Sequence, residues 1–133
     1  SKAKFRLPEV TLGIVPGFNG TQRLPKCIGM NKAKEILFTG KMLTAADALE
    51  LGILNHVTEP EQLMDEVYAM AGQIADNSAS AISLVKAAVN AGSDMDIDIG
   101  KNIELGYMAA CFGTPDQIEG FASFKEKRAA KFR

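Results

Sequence analysis

Phe5-Arg6-Leu7-Pro8-Glu9-Val10-Thr11-Leu12-Gly13-Ile14-Val15-Pro16-Gly17-Phe18-Asn19-Gly20-Thr21-Gln22-Arg23-Leu24-Pro25 sets one carboxylate in an apolar segment and follows it with a glycine-rich turn. From Phe5 to Val15 the apolar residues alternate and cluster as in a buried strand. Pro8 fixes its own φ and holds Leu7 extended, so Glu9 is expected at the edge of a rigid strand rather than on a loop. Gly20-Thr21 then opens a short helix through Ile28, broken by Gly29. A strand of this kind is not stable alone, and the only other short strand read from the sequence is Leu54-Asn55-His56-Val57-Thr58.

Outward from that stretch the pattern is helical at the 3.6-residue period. Asn31 is expected to cap a helix through Phe38 that Gly40 closes, and Thr44 to cap Ala45 to Leu51, with Gly52 as the stop. Glu59-Pro60-Glu61 places acids and a proline at the first turn of a long helix to Asp76, where the helix dipole favours negative charge. Its apolar face is Leu63, Val67, Met70 and Ile74. Asn77-Ser78 opens another helix with Ile82, Val85 and Val89 on one side, ended by Ala91-Gly92. A further helix runs from about Met95 to Phe112 on Ile99, Ile103 and Met108, and Thr114-Pro115 caps the last, which carries Ile118, Phe121 and Phe124. The fold class is α/β, with a mixed part over residues 1–60 and helices over 61–133. Helices with one-sided stripes and little strand to cover must pack on each other or on another subunit, which points to an oligomerisation region.

Composition narrows the function. A chain of 133 residues with 47% apolar content can bury roughly two-thirds of its unfolded surface. Its formal net charge of −1 does not suit a nucleic-acid binder, and no apolar run approaches the ~20 residues of a membrane span. Cys27 and Cys111 lie in helix-like segments without a CxxC or Cys/His cluster, so no disulfide framework or metal site is indicated. A reducing, cytoplasmic setting is the expectation, and the first residues do not read as a signal or transit peptide. His56 stands at the end of the second strand without a Ser or Cys nucleophile nearby and reads as structural. Gly17-Phe18-Asn19-Gly20-Thr21 lacks the Gly-Lys-Ser/Thr ending of a P-loop, and Asp94-Met95-Asp96-Ile97-Asp98 lacks the glycine and glutamate of a calcium loop. That acidic run reads as helix-start charge.

The Phe5 to Pro25 stretch resembles the signature of the crotonase (enoyl-CoA hydratase/isomerase) family. So does Thr114-Pro115-Asp116-Gln117-Ile118-Glu119-Gly120-Phe121-Ala122-Ser123-Phe124-Lys125-Glu126-Lys127-Arg128, which is similar to the family's terminal T-x-D-x-x-E-G-x-x-A/S-F-x-E-K-R pattern. The resemblance implies the last part of a ββα spiral followed by an α-helical trimerisation region, acting as a homotrimer or dimer of trimers. It implies an acyl-CoA thioester as substrate, with CoA belonging to the substrate and no separate cofactor. In such hydratases two glutamates hold one water over the enoyl double bond; Glu9 matches the one that delivers a proton to the carbon beside the thioester. The other glutamate and the oxyanion-hole amides would precede Ser1, which makes this chain the C-terminal half of an enzyme and inactive alone. Gly17 belongs to the turn into the helix whose N-terminal amides face substrate and water.

At the C-terminal end the resemblance carries Phe124 and Lys127 to the adenine and phosphates of CoA, often from a neighbouring subunit. Three apart on a helix, they would share a face, backed by a basic tail of Lys125, Lys127, Arg128, Lys131 and Arg133. Phe124 could instead be a core residue. Two positions depart from the pattern: Arg6 and Asn19 stand where glycine is usual, and strain at Arg6 would displace Glu9, whereas Asn tolerates positive φ. Short-chain enoyl-CoA hydration is the first expectation. Double-bond migration from the Δ3 to the Δ2 position is a second, and a non-catalytic trimerisation fragment a third.

Overall fold

The computed structural model describes residues 1–132. The chain forms two compact units, Ser1–Glu66 and Val67–Arg133, divided within a helix. In the first unit strand β1 (Lys4–Phe5) pairs antiparallel with β2 (Leu43–Thr44), Lys4 opposite Thr44 and Phe5 opposite Leu43. Helices α1 (Gly20–Ile28) and α2 (Met30–Thr39) are joined through Gly29 at φ 80°. Helix α3 (Ala45–Glu50) follows β2 directly. The core is small: Ala33, Ile36 and Leu37 from α2 at helical spacing, Leu43 from β2, and Ala45 and Ala48 from α3 are buried. Thr44 caps α3 through a full capping box, its hydroxyl accepting from Asp47 N while the Asp47 carboxylate accepts from Thr44 N, which satisfies two otherwise orphaned backbone donors.

Three sequence expectations are corrected in this unit. The run from Phe5 to Val15 is a strand only at Lys4–Phe5; Glu9–Leu12 is a 3-10 turn. Pro8 supplies the reason, since its backbone lies at φ −85°, ψ 3°. Its carbonyl accepts both the Thr11 N–H at 2.8 Å and the Thr11 hydroxyl at 2.7 Å, and Gly13 at φ 73° ends the turn. A closed turn with a left-handed glycine stop outweighs the alternation of Val10, Leu12 and Ile14. Leu54 to Thr58 is irregular, and the partner of β1 is instead Leu43–Thr44. Helix α2 starts at Met30 with Gly29 as its N-cap, so Asn31 is inside it.

A 3-10 turn at Pro60–Gln62 opens α4 (Leu63–Ala75), the helix in which the two units divide, and the second unit continues with α5 (Ala79–Gly92), α6 (Ile97–Cys111) and α7 (Pro115–Glu126). The start signals hold: the Ser78, Asp96 and Thr114 side chains accept from Ala81 N, Asp98 N and Gln117 N. Asp96 and Asp98 are therefore helix-start charges. Asp116 Oδ2 accepts from Ser78 Oγ at 2.6 Å and Ser80 Oγ at 3.1 Å, tying the first turn of α7 to the start of α5. Helices α5 and α6 approach closely, with a side-chain carbon built on Gly92 only 3.6 Å from Gly100 Cα. The anticipated stripes are real but uncovered: Val67, Met70 and Ile74, Val85 and Val89, Ile99 and Met108, and Ile118 and Phe121 are all exposed, and α4, α5 and α6 contain no buried residue. No helix among the described residues is long and apolar enough to cross a membrane.

Candidate active site

Glu9 opens the 3-10 turn that follows β1 and is half-buried. The turn is pinned from two sides. Gly40, which ends α2 at φ 57°, packs so tightly on it that a Cβ there would lie 3.3 Å from Thr11 Cγ2 and 3.5 Å from both Leu7 O and Pro8 Cα. Gly20, the first residue of α1, admits Leu7 and Pro16: a Cβ there would meet Leu7 Cδ2 at 3.1 Å and Pro16 Cβ at 3.0 Å. The Glu9 backbone carbonyl accepts from Ile14 N at 3.2 Å. Within this frame Glu9 Oε2 is buried and has no hydrogen-bond partner among the described residues. A buried carboxylate oxygen with nothing bound to it is costly and rare, so the geometry keeps an acceptor available at a fixed point.

The two departures from glycine resolve differently. Asn19 takes the left-handed conformation, φ 63°, and serves as N-cap of α1 through its carbonyl, which accepts from Gln22 N and Arg23 N. Arg6 is not left-handed, so no glycine conformation is demanded there. Its Nε donates to the Gly40 carbonyl at 2.7 Å, placing a cation at the C-terminal end of α2, where the helix dipole favours it. The anticipated strain on Glu9 is replaced by an anchor. Gly17 lies in an exposed bend with open space around it; the glycines packed tightly around the Glu9 turn are Gly20 and Gly40, expected from the sequence only as a helix start and a helix stop. Their signal was the turn chemistry of Pro8, Pro16 and the end of α2.

Phe124 is 86% exposed, so it lies outside the core of this chain. It lines an apolar cavity of about 530 Å³ in the second unit with Phe121, Phe132, Ala81 and Cys111. Lys127 is not on the helix face of Phe124: it follows the last residue of α7 in the left-handed conformation, φ 54°, and the shared-face expectation is corrected. Helix α7 ends at Glu126 because the next residues form a Schellman motif, with Lys127 N donating to Phe124 O and Arg128 N to Ser123 O. Among the described residues the Lys127 ammonium has no hydrogen bond or ion pair. Arg128, by contrast, is not a free cation of the tail. Its guanidinium grips Glu119 with both fork nitrogens at 2.6 and 2.9 Å, and its Nε pairs with Glu126. Glu119 also accepts from Lys131 N at 2.8 Å. The Arg128 guanidinium, then the Lys131 N–H, hold the Glu119 carboxyl down at about 2. Arg133 lies outside the described residues.

Among the described residues no group of His, Cys, Asp and Glu could hold a metal ion. His56 Nδ1 sits 3.5 Å from Glu66 Oε1 on the surface, and both cysteines are free. Glu9 and Gly17 belong to the first unit, Phe124 and Lys127 to the second.

Residues 1–133 match the enoyl-CoA hydratase/isomerase family model. The chain belongs to this family. It is 47% identical over 132 residues to the crotonyl-CoA hydratase of Syntrophomonas wolfei, covering 99% of this chain and 51% of that protein. It is also 47% identical over 125 residues to the short-chain-enoyl-CoA hydratase of Clostridioides difficile, covering 94% of this chain and 81% of that protein. A crystal structure of an enoyl-CoA hydratase from Geobacillus kaustophilus shares the crotonase-type fold with a TM-score of 0.91 at 43% identity, over 98% of this chain and 51% of that one. The chain spans about half the length of most of the curated relatives it matches.

Proposed function

We propose that this chain is the C-terminal portion of a short-chain enoyl-CoA hydratase, supplying one of its two catalytic carboxylates and its contacts to the CoA nucleotide. The observation that carries the proposal is the buried, unpartnered Glu9 Oε2 on a clamped turn, and the similarity to hydratases of crotonyl-CoA and short-chain enoyl-CoA supports the substrate class. Hydration adds the oxygen of water to C3 of the enoyl thioester and a proton to C2, with loss of the C2=C3 π bond. In this reading Glu9, as the carboxylic acid, delivers its proton to C2 and is left as a carboxylate, while a second carboxylate, in a part of the protein outside this chain, takes a proton from water and becomes the acid. In this reading CoA is part of the substrate and the chemistry is carried by the two carboxyl groups. Exposed Phe124 offers a ring to adenine, and the Lys127 ammonium, without a partner among the described residues, offers a charge to phosphate. The uncovered stripes of α4 to α7 are the surfaces on which a trimer, or a dimer of trimers, would close.

The test uses the full-length protein that carries this sequence, given crotonyl-CoA and, separately, a 3-enoyl-CoA. Hydration of the first is the expected outcome; double-bond migration of the second without hydration of the first establishes isomerase chemistry instead. Glu9→Gln should lower kcat by orders of magnitude with KM nearly intact, because the interaction lost is made in the transition state. The surface substitution Glu61→Gln should leave kcat where it is, and an equal loss there would refute the role of Glu9.

A further inference from the structure

Lys127 occupies a backbone conformation that non-glycine residues seldom adopt, φ 54°, at a position of the Schellman motif that is usually glycine. Such outliers persist where surrounding structure over-determines them, and they concentrate at functional sites. The surrounding structure here is specific. If α7 continued through Lys127, Arg128 would stand nine residues beyond Glu119, roughly 13 Å along the axis and half a turn of rotation away, on the opposite face. Their side chains could not meet. The chain reversal at Lys127 brings Arg128 back over α7, where both of its fork nitrogens reach the two oxygens of Glu119. Glu119 Oε1 then fixes the returning chain through Lys131 N, and the Arg128 fork also donates to its neighbour's carbonyl, Ala129 O, at 3.1 Å. A bidentate pair adds geometric specificity as well as energy, so this ion pair favours the chain reversal in which Lys127 is left-handed, beside the backbone bonds of the Schellman motif.

We propose that Glu119 and Arg128 are positioning residues for Lys127: their bidentate pair locks the end of α7 so that the Lys127 ammonium is presented at one fixed place to an anionic group of the CoA nucleotide. The inference rests on the reading of Lys127 as a CoA contact. It adds that the family-like Glu119 and Arg128 act through backbone conformation, with neither touching substrate. A glycine at position 127 would satisfy the turn alone but bring no charge; a lysine brings the charge and needs the clamp to hold the turn.

The experiment is a double-mutant cycle on the full-length protein, reading the Kd for coenzyme A itself, by calorimetry at low and high salt, and the KM for crotonyl-CoA. Lys127→Ala should weaken CoA binding about three- to tenfold at low salt, and less at high salt. Arg128→Ala should weaken it by the same factor, the effect falling on KM rather than kcat, and the double variant should be no worse than Lys127→Ala. Arg128→Lys, which keeps the charge but loses the fork, should behave as Arg128→Ala and serves if the alanine variant does not fold. Glu119→Gln should do the same from the other side. Should Lys127→Ala lose affinity while Arg128→Ala and Arg128→Lys retain it, the positioning role is overturned. Effects that multiply in the double variant also overturn it, because Arg128 then acts independently of Lys127. A normal Kd in Lys127→Ala removes the CoA-contact reading beneath the proposal, a failure distinct from the other two.

Discussion

Gly20→Ala tests whether the frame around Glu9 is what positions it. The first residue of α1 is not left-handed, so alanine is sterically allowed by the backbone, and the conflict is with neighbours alone. The added Cβ would stand 3.0 Å from Pro16 Cβ and 3.1 Å from Leu7 Cδ2, short of the carbon–carbon optimum by about 0.5 Å on each side. Overpacking of this kind costs about 1–3 kcal/mol, while alanine in place of glycine in a helix returns about 1 kcal/mol. The net loss of stability should thus be only about 0–2 kcal/mol. The geometric effect is larger in consequence. Leu7 is joined to Glu9 through Pro8, whose ring leaves little torsional freedom to absorb a shift. Since a misplacement of ~1 Å can cost 10²-fold, a displacement of about half that size should lower kcat about tenfold. The assay is hydration of crotonyl-CoA by the full-length protein, alongside its melting curve. Gly106→Ala in α6, where a Cβ meets nothing within 4 Å, serves as control and should leave kcat unchanged. A folded Gly20→Ala protein with kcat within about twofold of the original would refute the claim that Leu7 and α1 set the position of Glu9.

Gly40→Ala combines a left-handed backbone with a Cβ 3.3 Å from Thr11 Cγ2; it should cost about 1–3 kcal/mol, seen as a lower urea midpoint with an unchanged slope, and Gly40→Asn should cost less. Thr44→Ala removes half of the α3 capping box and should cost about 1 kcal/mol in thermal unfolding. The Thr44 hydroxyl and then its N–H hold the Asp47 carboxyl below its ordinary range, so NMR titration of the same variant should find Asp47 raised toward 3.8. The pH dependence of the α7 clamp follows from Glu119, held at about 2 against an ordinary 4.5. A carboxyl whose folded value is lowered contributes stability that is full above its unfolded value and lost as pH falls through the folded one. The melting-temperature difference between the original protein and Glu119→Gln should therefore be constant above pH 4.5, shrink on acidification and vanish below about pH 2; a difference that persists there would contradict the pairing.

The helical part was legible because its signals are local. Ser78, Thr114-Pro115 and Thr44 each declare a helix start through a side chain that reaches its own neighbouring amides, and such caps do not depend on what packs around them. The stretch around Glu9 was misread for the opposite reason. Alternation of Val10, Leu12 and Ile14 is a strand signal only if a partner strand exists, whereas Pro8, Thr11 and Gly13 close a turn without help. The partner of β1 is a two-residue segment, Leu43–Thr44, too short to carry a period. Of the candidate site, Glu9 and Phe124 were nominated by motif, and their surroundings were not legible; the carboxyl oxygen without a partner among the described residues and the exposed ring are facts of packing. The Arg128–Glu119 pair escaped because helical spacing sets the two residues on opposite faces, and only the left-handed Lys127 makes them neighbours.

Arg6, Asn19 and Lys127 raise one question of physical chemistry, since Asn19 and Lys127 hold the left-handed conformation that glycine adopts most easily and Arg6 stands where the family pattern usually has glycine. Asn19 accepts the left-handed conformation itself, the mildest non-glycine choice for it. Arg6 leaves the conformation ordinary and uses its side chain to bind the carbonyl of Gly40, the glycine that closes α2 against the Glu9 turn. Lys127 takes the left-handed conformation and is held there by the side chain of the next residue. In two of the three, then, a guanidinium ties down a helix end: Arg6 the end of α2 next to the candidate proton donor, Arg128 the end of α7 next to the candidate phosphate contact. Glycine would permit these turns but leave them many alternatives in the unfolded and locally opened states; a side-chain anchor restricts the folded ensemble to one. Rigidity of that kind would serve the roles proposed for Glu9 and Lys127, and it gives a physical use to Arg6 where the family pattern usually has glycine.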